Sequence, residues 1–215
     1  MARAVRPSKP RQDRSLRTRD RIRAAVLQAL QHASFEDLSL RAVARQAKVA
    51  LGSFYNLYSN KAALLPDLYE WHRADLADAL ARELDPRRWT GADLRTLLQG
   101  LVTAMVDMHR RQRGLLRALV LAAHGRGDRE PVQQPEDMRE VVPRIAALVA
   151  TRAARIRRRP AVQAAAIGCV AVLALVRENV LFPRTTAHVL HLDDDALVRA
   201  ATGLWWSFLV TPEAA

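Results

Sequence analysis

Residues 39–64 read Ser39-Leu-Arg-Ala-Val-Ala-Arg-Gln-Ala-Lys-Val-Ala-Leu-Gly-Ser-Phe-Tyr-Asn-Leu-Tyr-Ser-Asn-Lys-Ala-Ala-Leu64, and this stretch decides the fold. Ser39 has the side chain of a helix N-cap, and Leu40, Val43, Ala44 and Ala47 follow at the spacing of one buried helical face. Lys48-Val49-Ala50 makes a tight turn, and a second short helix is expected over about 51–57. Two short helices joined by such a turn form a helix-turn-helix, whose second helix fits the DNA major groove. That helix offers Leu51, Gly52, Ser53, Tyr55 and Asn56 outward, while Val49, Phe54 and Tyr58 point in.

Upstream, Ile22, Val26, Leu30 and Ala33 repeat at helical spacing from about Arg17, and His32 to Asp37 break the pattern. Residues 1–23 carry nine Arg or Lys against Asp13 and Asp20, a net +7 of the chain's +12. Pro7 and Pro10 keep the first part from being helical, so residues 1–16 read as a flexible basic arm suited to polyphosphate or, equally, as a solubilising tail.

Downstream the helices are long. Ser59-Asn60 caps one that carries Leu64, Leu68, Trp71, Leu76, Leu80 and Leu84, and Asp85-Pro86 ends it. Thr90 is expected to cap the next, through Leu94 to Met108. Helices are also expected over about 115–124, 136–158, Pro160 to Phe182, and from a cap at Asp193 or Asp194 onward. Gly125 to Pro135 is the long polar loop. The chain therefore reads as all-α: a flexible arm (1–16), a three-helix helix-turn-helix DNA-binding domain (17–62), and a larger C-terminal helical bundle (63–215) for ligand binding and dimerisation.

Half of the 215 residues are hydrophobic, enough for a sizeable core. The single cysteine, Cys169, excludes an intramolecular disulfide framework and suits a reducing cytoplasm. Residues 1–23 have no apolar run longer than two, which argues against a secretory signal. Residues 161–176 are apolar almost all round, too much for one face of a monomer, and Gly168 permits close packing against a second copy. As a membrane span the run is short, with Gln163 inside and Arg177 after it, so no membrane is expected.

His188 and His191 near Asp193-Asp194-Asp195 form the one metal-like grouping, but the spacing is common and the aspartates suit a helix cap, so no metal is expected. No P-loop, G-x-S-x-G, H-E-x-x-H or dinucleotide fingerprint occurs; neither catalysis nor a cofactor is expected.

The stretch 39–64 resembles the signature of the TetR (tetracycline repressor) family. The matches are Val43-Ala44, Ala47, Val49, Gly52, Phe54-Tyr55, Tyr58, Lys61 and Leu64, and they cover about residues 17–65. Lys48 stands where the family usually has Gly, Ser34 replaces a second Gly, and Ala50-Leu51 replace a common Ser-Lys pair. The resemblance implies that Ser39 and Arg41 contact phosphate, that Leu51, Ser53 and Asn56 face base edges, and that Tyr55 and Lys61 hold the DNA backbone. Chemically, Asn56 suits adenine N6/N7 or a phosphate, Leu51 suits a thymine methyl, and Ser53 can serve either base; Gly52 permits close approach. The resemblance further implies a homodimer on a palindromic operator in double-stranded DNA, and a repressor released by a small molecule. Inward groups suited to a neutral or anionic apolar effector are His109, His124, Trp71, Met105 and Met108, and the same residues also suit a packed core. The alternative reading is a constitutive or architectural DNA-binding protein without an effector pocket.

Overall fold

The computed structural model describes residues 9–125, 134–183 and 192–212. Arg3 and Arg6 of the arm, most of the Gly/Pro-rich loop, and His188 and His191 lie outside the described residues, as does the side chain of His124. No strand occurs among the described residues. The chain divides into two compact units, Met1–Leu68 and Tyr69–Ala215.

In the first unit, α1 (Lys9–Leu30), α2 (Leu40–Gln46) and α3 (Leu51–Leu57) form the helix-turn-helix domain. Helix α1 begins eight residues before Arg17, so the flexible arm expected through residue 16 is helical from Lys9. Pro10 lies in the first turn, where its missing N–H leaves no bond unmade. Ile22, Val26, Leu30, Val43, Ala44 and Phe54 are buried, as the helical spacing of the sequence requires. The Ser39 side chain accepts from the Ala42 N–H at 3.3 Å and so caps α2. Asn60 Oδ1 accepts from the Ala63 N–H at 3.0 Å, capping a 3₁₀ turn, Ala62–Leu64, that leads into α4 (Leu65–Glu83).

The second unit contains α5 (Leu94–Arg111), α6 (Arg113–Gly125), α7 (Gln134–Ala150), α8 (Ala161–Leu181) and α9 (Asp194–Val210). Helix α8 packs against α5, α6, α7 and α9, and the buried cluster includes Leu97, Leu101, Val106, Val149, Val172, Val176 and Trp205. Small side chains on α8 allow this. Trp205 is fully buried, and a Cβ on Gly168 would lie 2.2 Å from its ring.

Two expected element ends differ. Asp93, not Thr90, caps α5, accepting from the Thr96 N–H at 2.7 Å. Thr90 instead ends a 3₁₀ turn, Pro86–Trp89, and Gly91 at φ +76° swings the chain round to the new cap. Helix α7 stops at Ala150 rather than Arg158. There Arg152 turns aside to donate to the carbonyls of Trp89 (2.9 Å) and Ala92 (3.1 Å), and the Arg157 N–H bonds Leu209 O at 2.8 Å. These tertiary bonds outweigh helical propensity, which is worth only tenths of a kcal/mol per residue.

Helix α8 has 21 residues, longer than the 16-residue run of the sequence, and by length and composition alone is long and apolar enough to cross a bilayer. Half of its most apolar stretch is buried inside the unit, as in a core helix. Val162, Ile167 and Val170 on α8 and Leu204 on α9 remain about half exposed.

Candidate DNA-binding surface

Helix α3 divides sharply into two faces. Phe54 is completely buried and packs its ring 5.5 Å from Tyr58, so the inner edge is fixed by aromatic burial. Gly52, Ser53, Tyr55 and Asn56 are exposed, and Leu51 is half-buried at the start of the helix. A Cβ at Gly52 would meet nothing within 4 Å. Glycine inside a helix costs roughly 0.5–1 kcal/mol relative to alanine, and no neighbour within the protein demands it here. Arg41 is exposed on α2, with Arg45 one turn on and Lys48 beyond it, also exposed.

The turn between α2 and α3 carries a backbone conformation that glycine usually supplies. Lys48 has φ +53°, the left-handed region, at a strain of about 1–2 kcal/mol for a residue with a Cβ. From α1, Arg21 donates to the Lys48 carbonyl at 3.2 Å. Gln46 on α2 donates to Gln28 on α1 at 2.7 Å, a second tie between the same elements. Both links escape sequence reading, because their partners lie 27 and 18 residues away.

At the other end of α3, the Tyr58 hydroxyl donates to Asp67, whose carboxylate also lies 3.6 Å from Arg19. Burial first, with the Asp67 carboxylate adding, holds the Tyr58 phenol well above the ordinary tyrosine range. Lys61, expected to hold DNA backbone, donates to the Glu36 carbonyl and lies 6.0 Å from the centre of the Phe35 ring. Its ammonium ties the loop after α1 to the start of α4 and keeps two N–H donors for another partner.

Four of the five residues expected around an effector have described side chains, and all four belong to the second unit. Met105 and His109 are buried in the core of the second unit, while Trp71 and Met108 are half-buried. His109 Nδ1 bonds the Met105 carbonyl at 2.8 Å, which makes Nδ1 the protonated nitrogen. Burial, against the opposing bond to the Met105 carbonyl and with the Arg177 charge adding, lowers the His109 pKa below its ordinary 6.5. A groove of about 440 Å³ does exist in this unit, but other residues line it, among them Arg82, Trp89, Gly100, Thr103 and Arg111.

A helix-turn-helix whose second helix presents a polar, sterically open face beside exposed arginines defines a DNA-binding regulatory protein. Residues 22–68 match the profile of the bacterial regulatory proteins of the tetR family, so this domain is similar to theirs. No curated protein matches the sequence. Among solved structures, the fold is similar to a TetR-like transcriptional regulator from Rhodococcus sp. RHA1, at 17% identity and a TM-score of 0.59 over 88% of this chain and 94% of that one. It is similar to NalD, the secondary repressor of the MexAB-OprM multidrug efflux pump in Pseudomonas aeruginosa, at 21% identity and a TM-score of 0.55 over 92% and 98%. It is also similar to a TetR family transcriptional regulator from Pseudomonas syringae pv. tomato str. DC3000, at 21% identity and a TM-score of 0.50 over 87% and 94%.

Proposed function

We propose that the protein is a cytoplasmic, sequence-specific repressor that binds a palindromic operator as a homodimer and is released by a small molecule. The outward face of α3, with Ser53, Tyr55 and Asn56 exposed around an unfilled Gly52, carries the reading. Asn56 reads a base edge and Tyr55 bonds phosphate, while Arg41 and the spare donors of Lys61 hold the backbone. The half-exposed apolar side chains Val162, Ile167 and Val170 on α8 and Leu204 on α9 support self-association through these helices. A dimer meets a physical need, since one short helix reads too few bases and two half-sites multiply discrimination. The similarity in fold to NalD, itself a repressor, supports repression over activation.

Selection of bound sequences from a random DNA pool tests this reading. A two-fold symmetric consensus is expected; recovery without any consensus would instead favour the architectural reading that the +12 charge suggests. On the selected site, Asn56→Ala should relax sequence preference, and Lys61→Ala should weaken operator and random DNA alike. Equal losses on both DNAs for both variants would sink the division of roles.

A further inference from the structure

Helix α5 has two unlike faces. Leu94, Leu97, Leu98, Leu101, Val102 and Met105 on one side are buried in the core. The opposite side is Thr96, Gly100, Thr103, Ala104, Asp107 and Arg111, and it forms one wall of the groove of about 440 Å³. Ala79, Arg82 and Glu83 of α4 form the other wall. The volume falls within the range of small-molecule sites, roughly 300–1,000 Å³.

The groove is built rather than left over. Trp89 stands at its end, donating its indole N–H to the Glu83 carbonyl at 2.7 Å, with its ring tip against Gly100. A Cβ on Gly100 would lie 2.2 Å from that ring, so the wedge needs the glycine. Arg152 donates to the Trp89 carbonyl at 2.9 Å and fixes the same turn. With the wedge held at both ends, α4 and α5 cannot close on each other over Ala79 and Ala104.

The charge lining it is unbalanced. Arg88 is taken by Glu83, at 3.1 Å. Arg82 and Arg111 have no ion-pair partner among the described residues, and Asp107 is the one lining carboxylate left to offset them. Ala79, Gly100 and Ala104 make part of the walls small and apolar, and Gln99 also lines the groove beside Thr103. We propose that this groove, outside the bundle core and separate from the expected effector residues, binds an organic monoanion with a flat apolar body, its carboxylate held by Arg82 or Arg111.

Calorimetric titration of the full chain with 2-naphthoate, and with the neutral amide 2-naphthamide, tests this. No DNA is present, so failure here leaves the operator reading standing. The expected result is one saturable site per chain, at least about tenfold tighter for the anion, as expected for losing a charge-assisted bond. Arg82→Gln with Arg111→Gln should remove that preference, and Ala104→Leu, which fills the groove, should abolish binding. Arg144→Gln, at an exposed cation on α7 that does not line the groove, should leave it unchanged. Circular dichroism establishes that each variant is folded. Absence of saturable binding by the folded wild type, equal affinity for acid and amide, or binding indifferent to the groove substitutions would overturn the proposal.

Discussion

Lys48 occupies a position that its own side chain disfavours, and Arg21 holds the carbonyl of that same residue. If the clamp keeps the turn in register, Arg21→Gln should weaken operator binding, and Lys48→Gly should restore part of the loss, because glycine adopts positive φ without a clamp. The double-mutant cycle by fluorescence anisotropy reads this as a coupling of about 0.5–1.5 kcal/mol. Strict additivity would mean that Arg21 acts on DNA directly. His109 gives a second residue-scale expectation. Its folded pKa lies below the ordinary 6.5, so as pH falls through that value the unfolded chain takes up a proton that the folded chain refuses. Stability should be full above about pH 6.5 and decline below it, and urea denaturation of His109→Gln should show a flatter profile over that window. Buried apolar residues such as Phe54 and Val43 were legible in the sequence because helical spacing dictates them. Arg21 was not, since its partner is a backbone carbonyl brought near only by the fold.

The nine α-helices among the described residues follow the apolar periodicity, but their ends follow tertiary contacts. Asp85, Asp93 and Asp193 each accept a backbone N–H at the start of an element, at 2.9, 2.7 and 2.7 Å. Of the caps assigned from sequence, Asp193 holds its helix, whereas Thr90 loses α5 to Asp93 because a 3₁₀ turn intervenes. Short 3₁₀ turns leave no periodic trace in a sequence. Gly168, expected from the sequence to permit close packing on a partner copy, is instead buried against Trp205 of its own chain. Gly168→Ala should therefore destabilise the second unit by about 1–3 kcal/mol, the usual range for overpacking, despite alanine's better helix propensity. Chemical denaturation measures this; an unchanged or raised midpoint would show that the α8–α9 contact is loose.

For the molecule as a whole, charge placement is the feature most open to sequence reading and least dependent on packing. Arg3 and Arg6 precede α1, so deleting residues 1–8 removes two cations without shortening that helix. Operator binding should weaken, and the slope of log affinity against log salt should become shallower by up to ~3.6 for the dimer, at about 0.9 per phosphate neutralised by two cations from each protomer. An unchanged slope would leave these residues as a tail. The groove was far less legible than the helix-turn-helix. A recognition helix is a local pattern, whereas the groove beside α5 depends on Trp89 meeting Gly100 across a turn.

That kind of meeting recurs at Trp205, with a practical consequence. Its indole is fully buried between α8 and α9, and its N–H has no hydrogen-bond partner among the described residues. An indole shielded from water dipoles emits at short wavelength, and it reddens when solvent reaches it. With Trp71 and Trp206 only half-buried, and Trp89 hydrogen-bonded to Glu83, Trp205 is the natural blue component of the emission. The fold thus contains its own optical gauge of whether α8 and α9 stay closed, readable in the unlabelled protein while DNA or a small molecule is added.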